Sequence, residues 1–138
     1  MPCVTDTAAV LEGVSENLTH NVQPLLHEIR HALAKLLEDG GGTVIDLRSL
    51  PLAPGEEQQL LDELDHGEVT AHLQALGPTE ITETRYPGVW VVVHFNNDNE
   101  VVGKFIEVCH IPALLCSQQE DIREGLERLS HHLLEATT

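Results

Sequence analysis

The apolar residues of this chain change their spacing partway along it, from a period near 3.6 to a period of 2, and no other feature constrains the fold as much. Between Val22 and Asp39, the residues Val22, Leu25, Leu26, Ile29, Leu33, Leu36 and Leu37 recur at i, i+3, i+4 and i+7. That spacing puts them on one stripe of an α-helix. Asn21 stands where a cap would, Pro24 is tolerated in a first turn, and Gly40-Gly41-Gly42 stops the helix. Burying seven such side chains contributes about 10–20 kcal/mol before chain entropy is charged. The helix is therefore expected to be structural.

Thr43-Val44-Ile45-Asp46-Leu47 reads as a short strand, followed by Leu50-Pro51-Leu52 and a turn at Pro54-Gly55. A second, shorter helix follows, with Glu56 and Glu57 complementing its dipole, Leu60, Leu61 and Leu64 turned inward, and Gly67 ending it. From Glu68 to Ala75 every second residue is apolar, as in a half-buried strand. Gly77-Pro78 leads into a strand from Glu80 to Tyr86, and Pro87-Gly88 into the β-branched run Val89 to Phe95, which suits a central strand. The polar turn Asn96 to Asn99 and a last strand from Val101 to Cys109 complete a meander, which Pro112 closes. Ser117-Gln118-Gln119-Glu120 matches a capping box for a final helix, in which Ile122, Leu126, Leu129 and Leu133 form the inner face and Glu124 pairs with Arg128. The pattern predicts an α+β fold: an antiparallel sheet of about four meander strands plus a short extra one, packed with two long helices and a shorter one. One domain spans residues 1–138, with residues 1–15 a loose arm.

Charge narrows the functional classes. Seven Lys and Arg face 23 Asp and Glu in 138 residues, a formal net charge of -16. Such a chain repels a phosphate backbone, so nucleic acid is excluded as a partner, and anionic membrane surfaces are disfavoured for the same reason. The acidity serves solubility, or steers the chain toward a basic partner. Val89 to Val93 is the longest apolar run and falls far short of a membrane span. No basic start and apolar stretch open the chain at Met1, so a cytoplasmic location is expected.

Few residues carry chemistry. Cys3, Cys109 and Cys116 cannot all pair within the chain, and no CxxC spacing occurs. Cys109, His110 and Cys116 form the one tight Cys/His grouping, the basis for an alternative reading as a small enzyme or metal-binding protein. On a strand, however, Cys109 and His110 point to opposite faces, and a fourth ligand is missing. His27 and His31 have chelating spacing on a helix but make only two ligands, and His131-His132 is similar. There is no Gly-x-Ser-x-Gly, and Gly40-Gly41-Gly42 lacks the rest of a phosphate loop. No catalytic residue, metal or cofactor is expected, and the chain is read as a non-enzyme that binds another protein.

Four segments point further. Ile45-Asp46-Leu47-Arg48-Ser49-Leu50-Pro51-Leu52, Leu64-Asp65-His66-Gly67-Glu68-Val69, Glu83-Thr84-Arg85-Tyr86-Pro87-Gly88-Val89-Trp90 and Glu107-Val108-Cys109-His110-Ile111-Pro112 occur in that order. Together they make residues 22 to 133 resemble the hydrogenase expression/formation family of the HupH/HyaF type, accessory proteins for [NiFe]-hydrogenase. The resemblance implies a chaperone-like helper in hydrogenase assembly, with no catalytic residues and no cofactor to carry over. Its implied partner is a hydrogenase precursor, the iron–sulfur small subunit favoured, or another maturation protein. Exported small subunits carry a twin-arginine signal, a cationic target for an acidic protein.

Glu68, Glu83, Tyr86, Trp90 and Glu107 are the candidate partner-binding residues. The three glutamates fall on expected strands, where carboxylates need a wet face or a partner. Trp90 suits either the core or an exposed anchor, since tryptophan is enriched in interface hot spots. Gly67 and Gly88 suit left-handed turns or close backbone approach.

Overall fold

The protein is described from a computed structural model covering residues 21–74 and 77–137. The expected loose arm, Cys3 and Ala75 lie outside these described residues. The first helix, α1, spans Val22–Asp39 as its stripe predicts. Val22, Leu25, Ile29, Ala32 and Leu36 are buried, with Leu26 and Leu33 packed beside them. Leu37 does not follow the stripe inward: it is 87% exposed. The helix ends at Gly40, whose φ of 75° lets its N–H turn back to the Leu36 carbonyl. Asn21 is not the expected cap. It sits at φ -87°, ψ -8°, too helical for a capping side chain, and its amide donates to the Pro51 carbonyl at 3.1 Å.

Strand β1 (Thr43–Asp46) runs into a 3-10 turn at Leu47–Ser49, one residue earlier than its alternation suggests. Asp46 is the cause. Its carboxylate accepts from the Ser49 hydroxyl at 2.7 Å and from the Arg48 N–H at 3.0 Å, closing the chain into a turn. Helix α2 (Glu56–Leu64) buries Leu60 and Leu64, while Leu61 is only partly covered. It ends at Asp65, at a φ of 56°, before Gly67 is reached. Its unexpected feature is Glu56, fully buried at the helix start. Oε1 of Glu56 accepts from the Ala53 N–H at 2.8 Å and Oε2 from the Asn21 N–H at 3.0 Å, tying α2 to the start of α1.

The remaining strands are β2 (Thr70–Leu73), β3 (Thr79–Glu83), β4 (Val89–Phe95) and β5 (Val101–Val108). All pairings are antiparallel and the order is β1-β5-β4-β3-β2, a four-strand meander with β1 added beyond β5. Val91 faces Ile106 and Val92 faces Phe105. β2 and β3 are shorter than their alternation. Glu68 therefore lies in the bend before β2 rather than on a strand, and Tyr86 lies in the β3–β4 turn. β3 stops where the buried Thr84 hydroxyl accepts from the Tyr86 N–H at 3.1 Å, which bends the backbone out of the ladder.

Alternation along β4 feeds two cores. Val89, with Ile45, Ile106 and Val108, packs beneath α1 and α2. Trp90 and Val92, with Ile81, form a second cluster on the opposite face, flanked by Ala71, Leu73, Phe105, Cys109 and Leu115. The α+β architecture is thus as expected, with one correction. After a 3-10 turn at Ala113–Leu115, helix α3 (Gln119–Thr137) does not close over the sheet. It has no buried residue, and its expected inner face, Ile122, Leu126, Leu129 and Leu133, is 56 to 64% exposed. Periodicity reports that residues share a face, not that the face has a partner. Arg123 on this helix pairs with Glu120 at 2.7 Å, and the expected pair of Glu124 with Arg128 is not among the ion pairs of the described residues.

Candidate functional site

One end of the sheet gathers three of the four segments singled out in the sequence. The Arg85 N–H donates to the Leu64 carbonyl at 2.9 Å and the Gly67 N–H to the Glu83 carbonyl at 2.7 Å, joining the end of α2 to the end of β3. The Cys109 N–H donates to the Gly88 carbonyl at 2.9 Å, joining the β3–β4 turn to the end of β5. Leu64–Val69, Glu83–Trp90 and Glu107–Pro112 are thereby held in one hydrogen-bonded unit. Ile45–Leu52 is not part of it: that segment leads through the Asp46 turn toward α2 and is explained by packing, with Ile45 and Leu47 in the main core.

Two glycines make this convergence possible. Gly88 has a φ of +93°, and a Cβ there would sit 3.3 Å from the Leu33 side chain and 3.5 Å from that of Leu36. The turn therefore lies directly against α1. A Cβ on Gly67 would stand 2.6 Å from the Thr84 carbonyl oxygen and 2.8 Å from Oε1 of Glu83, so only hydrogen fits. Both of the expected glycine roles, left-handed turn and close approach, are present.

Beside the Gly88 turn opens a shallow cleft of about 450 Å³, lined by Leu33, Leu36, Leu37, Glu83, Pro87, Gly88 and His110. Leu37 stands at its edge, and Tyr86 and Ile111 are exposed on the same loops. The Arg85 guanidinium stacks 5.6 Å from the Tyr86 ring centre, holding an apolar ring upright on the surface. This is a mainly apolar, open surface with a carboxylate and an imidazole among its lining residues.

The candidate residues divide accordingly. Register sets Glu83 opposite Trp90 and Trp90 opposite Glu107, so the three form one cross-strand row over β3, β4 and β5. Trp90 is not an exposed anchor. It is 5% exposed, and its indole N–H donates to the Cys109 carbonyl at 3.1 Å, pinning the end of β5 to β4. Tyr86 is the exposed aromatic of the pair. Glu68 stands in solvent beside Gly67, while Glu83 and Glu107 are half-buried at the margins of the row. Leu37 escaped selection in the sequence, where it reads as one more residue of the helical stripe, whereas His110 was singled out only as a member of the Cys109/His110/Cys116 grouping and instead lines the cleft.

Cys109 and His110 do face opposite ways: Cys109 packs in the Trp90 cluster, and His110 lines the cleft against α1. Burial pushes the Cys109 thiol above its ordinary range, and the negative charges of Glu107 and Cys116 push it the same way. Cys116 is thus near Cys109, but the environment disfavours the thiolate that nucleophilic attack or metal binding requires. Among the described residues, no three His, Cys, Asp or Glu side chains gather in a group that could hold a metal ion. His131 approaches Glu135 at 3.2 Å on the outer surface of α3. No helix among the described residues is long and apolar enough to cross a membrane.

Residues 19–136 match the family model described as the HupH hydrogenase expression protein, C-terminal conserved region. The hydrogenase expression/formation protein HupQ of Azotobacter chroococcum mcd 1 is 34% identical over 111 residues, covering 79% of this chain and 39% of that protein. The hydrogenase expression/formation protein HupH of Rhizobium leguminosarum bv. viciae is 28% identical over 122 residues, covering 88% of this chain and 43% of its own length. The chain therefore spans about two fifths of these curated relatives. A solved structure, the hydrogenase expression protein HupH from Thiobacillus denitrificans ATCC 25259, superposes with a TM-score of 0.82 at 38% identity, covering 86% of this chain and 98% of that one.

Proposed function

This chain belongs to the HupH hydrogenase expression protein family, and from that premise we propose that it serves hydrogenase maturation by binding a hydrogenase precursor at the motif-bearing end of its sheet. The observation that carries the reading is the hydrogen-bonded convergence of Leu64–Val69, Glu83–Trp90 and Glu107–Pro112 beside a cleft lined by exposed Leu37, with exposed Tyr86 on the adjoining turn. A deep pocket with converging titratable groups would favour an enzyme. An open apolar patch favours a client segment laid across the surface, so the protein acts as a chaperone-like accessory and not as a catalyst.

Charge selects among clients. A protein of net charge -16 attracts a basic segment over a Debye length of about 8 Å at physiological ionic strength. The precursor's small subunit, with its twin-arginine leader, meets that requirement; other maturation proteins with basic surfaces are the alternative partners. Glu83 and the neighbouring Glu68 supply charge beside the patch and Glu107, on the Trp90 face, adds to the long-range field, while Leu37 and Tyr86 supply the contact that slows release. Such an encounter belongs in the cytoplasm, before export of the precursor.

Surface plasmon resonance against an immobilised small-subunit precursor separates the two contributions. The triple change Glu68→Gln, Glu83→Gln, Glu107→Gln is expected to slow association more than dissociation and to reduce the salt dependence. Leu37→Glu with Tyr86→Ala is expected to accelerate dissociation tenfold or more with the circular dichroism spectrum unchanged. Binding that ignores both sets of changes rules this surface out.

A further inference from the structure

Helix α3 presents a complete apolar seam to solvent. Ile122, Leu126, Leu129 and Leu133 follow one another at spacings of four, three and four residues, a strict a/d heptad pattern, and all are exposed. A globular protein's surface helix normally turns a wider apolar stripe onto its own core, whereas a narrow a/d seam is the mark of a helix that pairs with another helix. Most helical stability in proteins comes from packing an amphipathic face, and no residue of this 19-residue helix is buried within the chain.

Charge indicates which partner. The positions flanking the seam are Arg123, Gly125, Ser130 and His132, none of them acidic. Glu120, Asp121, Glu124, Glu127 and Glu135 all lie on the outward side of the helix. A chain of net charge -16 repels its own copies unless its carboxylates are kept out of the contact, and on α3 they are. A basic client would instead call for glutamates beside the seam, where charged flanking positions set partner choice.

We propose that α3 is a homodimerisation element, pairing antiparallel with α3 of a second copy so that Leu126 faces Leu129 and Ile122 faces Leu133. The antiparallel sense follows from two features. It sets each helix's positive end beside the partner's negative end. It also places the two acidic sheet domains at opposite ends of a helix pair about 28 Å long, where a parallel pair would crowd them together. At Gly125 an added Cβ would meet nothing within 4 Å, which leaves room at the seam's edge for the second backbone. The strip is about 28 Å by 10 Å, below the roughly 800 Å² per partner of a standard interface, so the dimer is reversible and depends on concentration.

Light scattering during size exclusion, over a concentration series, tests this directly. The full chain is expected to shift toward twice its 15.2 kDa mass as concentration rises into the tens of micromolar. Leu126→Glu and Leu129→Lys are each expected to stay monomeric, with the sheet's β-signal in circular dichroism unchanged because no residue of α3 is buried. Mixed together, they are expected to form a heterodimer, since the antiparallel register sets the introduced carboxylate of one chain against the introduced ammonium of the other. A full chain that stays monomeric throughout, a dimer that survives Leu126→Glu, or a mixture that fails to associate overturns the proposal. Dimerisation that appears only after deletion of residues 1–20 also overturns it, assigning the seam to that segment.

Discussion

Replacing Gly88 by alanine tests the turn that brings the family's segments together. At φ +93° an L-residue loses about 1–2 kcal/mol to the clash between its Cβ and the backbone. The added methyl also arrives 3.3 Å from a terminal carbon of Leu33 and 3.5 Å from one of Leu36. Both are ends of rotatable side chains and give way by a few tenths of an ångström, at a further cost of up to about 1 kcal/mol. The whole change is therefore expected to destabilise the protein by about 1–3 kcal/mol. In a chain of this size each kcal/mol moves the midpoint by roughly 3–5 °C, so the midpoint of thermal unfolding followed by circular dichroism is expected to fall by about 3–15 °C. Gly125→Ala is the internal contrast. Nothing lies within 4 Å of its added methyl, and in an exposed helix alanine is favoured over glycine by about 0.5–1 kcal/mol. That variant is expected to raise the helical signal without lowering the midpoint. A Gly88→Ala protein that melts with the parent refutes the claim that this turn is held in a glycine-only conformation against α1.

Glu56→Ala removes acceptors from the Ala53 and Asn21 N–H groups in a buried place and is expected to cost about 2–4 kcal/mol in urea unfolding, with Glu56→Gln recovering part of it; an unchanged midpoint shows the carboxylate to be dispensable. Cys109, its thiol pushed up by burial and then by Glu107 and Cys116, is expected to react with iodoacetamide more slowly than exposed Cys116 at neutral pH, as read by mass spectrometry of the peptides. The same raised value means that the folded state holds the Cys109 proton after the unfolded state has released it. That contribution to stability is intact below the ordinary thiol range and lost as pH rises through it, so Cys109→Ala is expected to flatten the alkaline fall in stability; a slope equal to the parent's contradicts the assignment.

Much of this architecture was legible residue by residue. The stripe from Val22 to Leu36 placed α1 at its observed ends, and the β-branched run from Val89 to Phe95 placed β4 at its observed ends. Both are local: an apolar period and a glycine stop are set by side chains within a few residues of each other. The two functional glycines were legible for the same reason, because the backbone freedom they supply is a property of single positions. β3 is shorter than its alternation because the Thr84 hydroxyl and the Tyr86 N–H close a turn directly after Glu83.

Shared faces, turn positions and surface charge are thus properties of the chain alone. Which faces meet is a property of the folded molecule. Leu37 continues the α1 stripe yet stands in solvent, since the turn at Gly88 reaches Leu33 and Leu36 and a cleft opens beyond them. Glu56 looks like a surface carboxylate yet is buried, because two backbone N–H groups, one of them from the start of α1, converge on it. Trp90 suits either core or anchor in the sequence and lies inside, since the sheet has a second core on the face away from the helices. Ile122, Leu126, Leu129 and Leu133 look like a core face yet none of them is buried. Burial depends on contacts between residues far apart in the chain, and an apolar period carries no record of its partner.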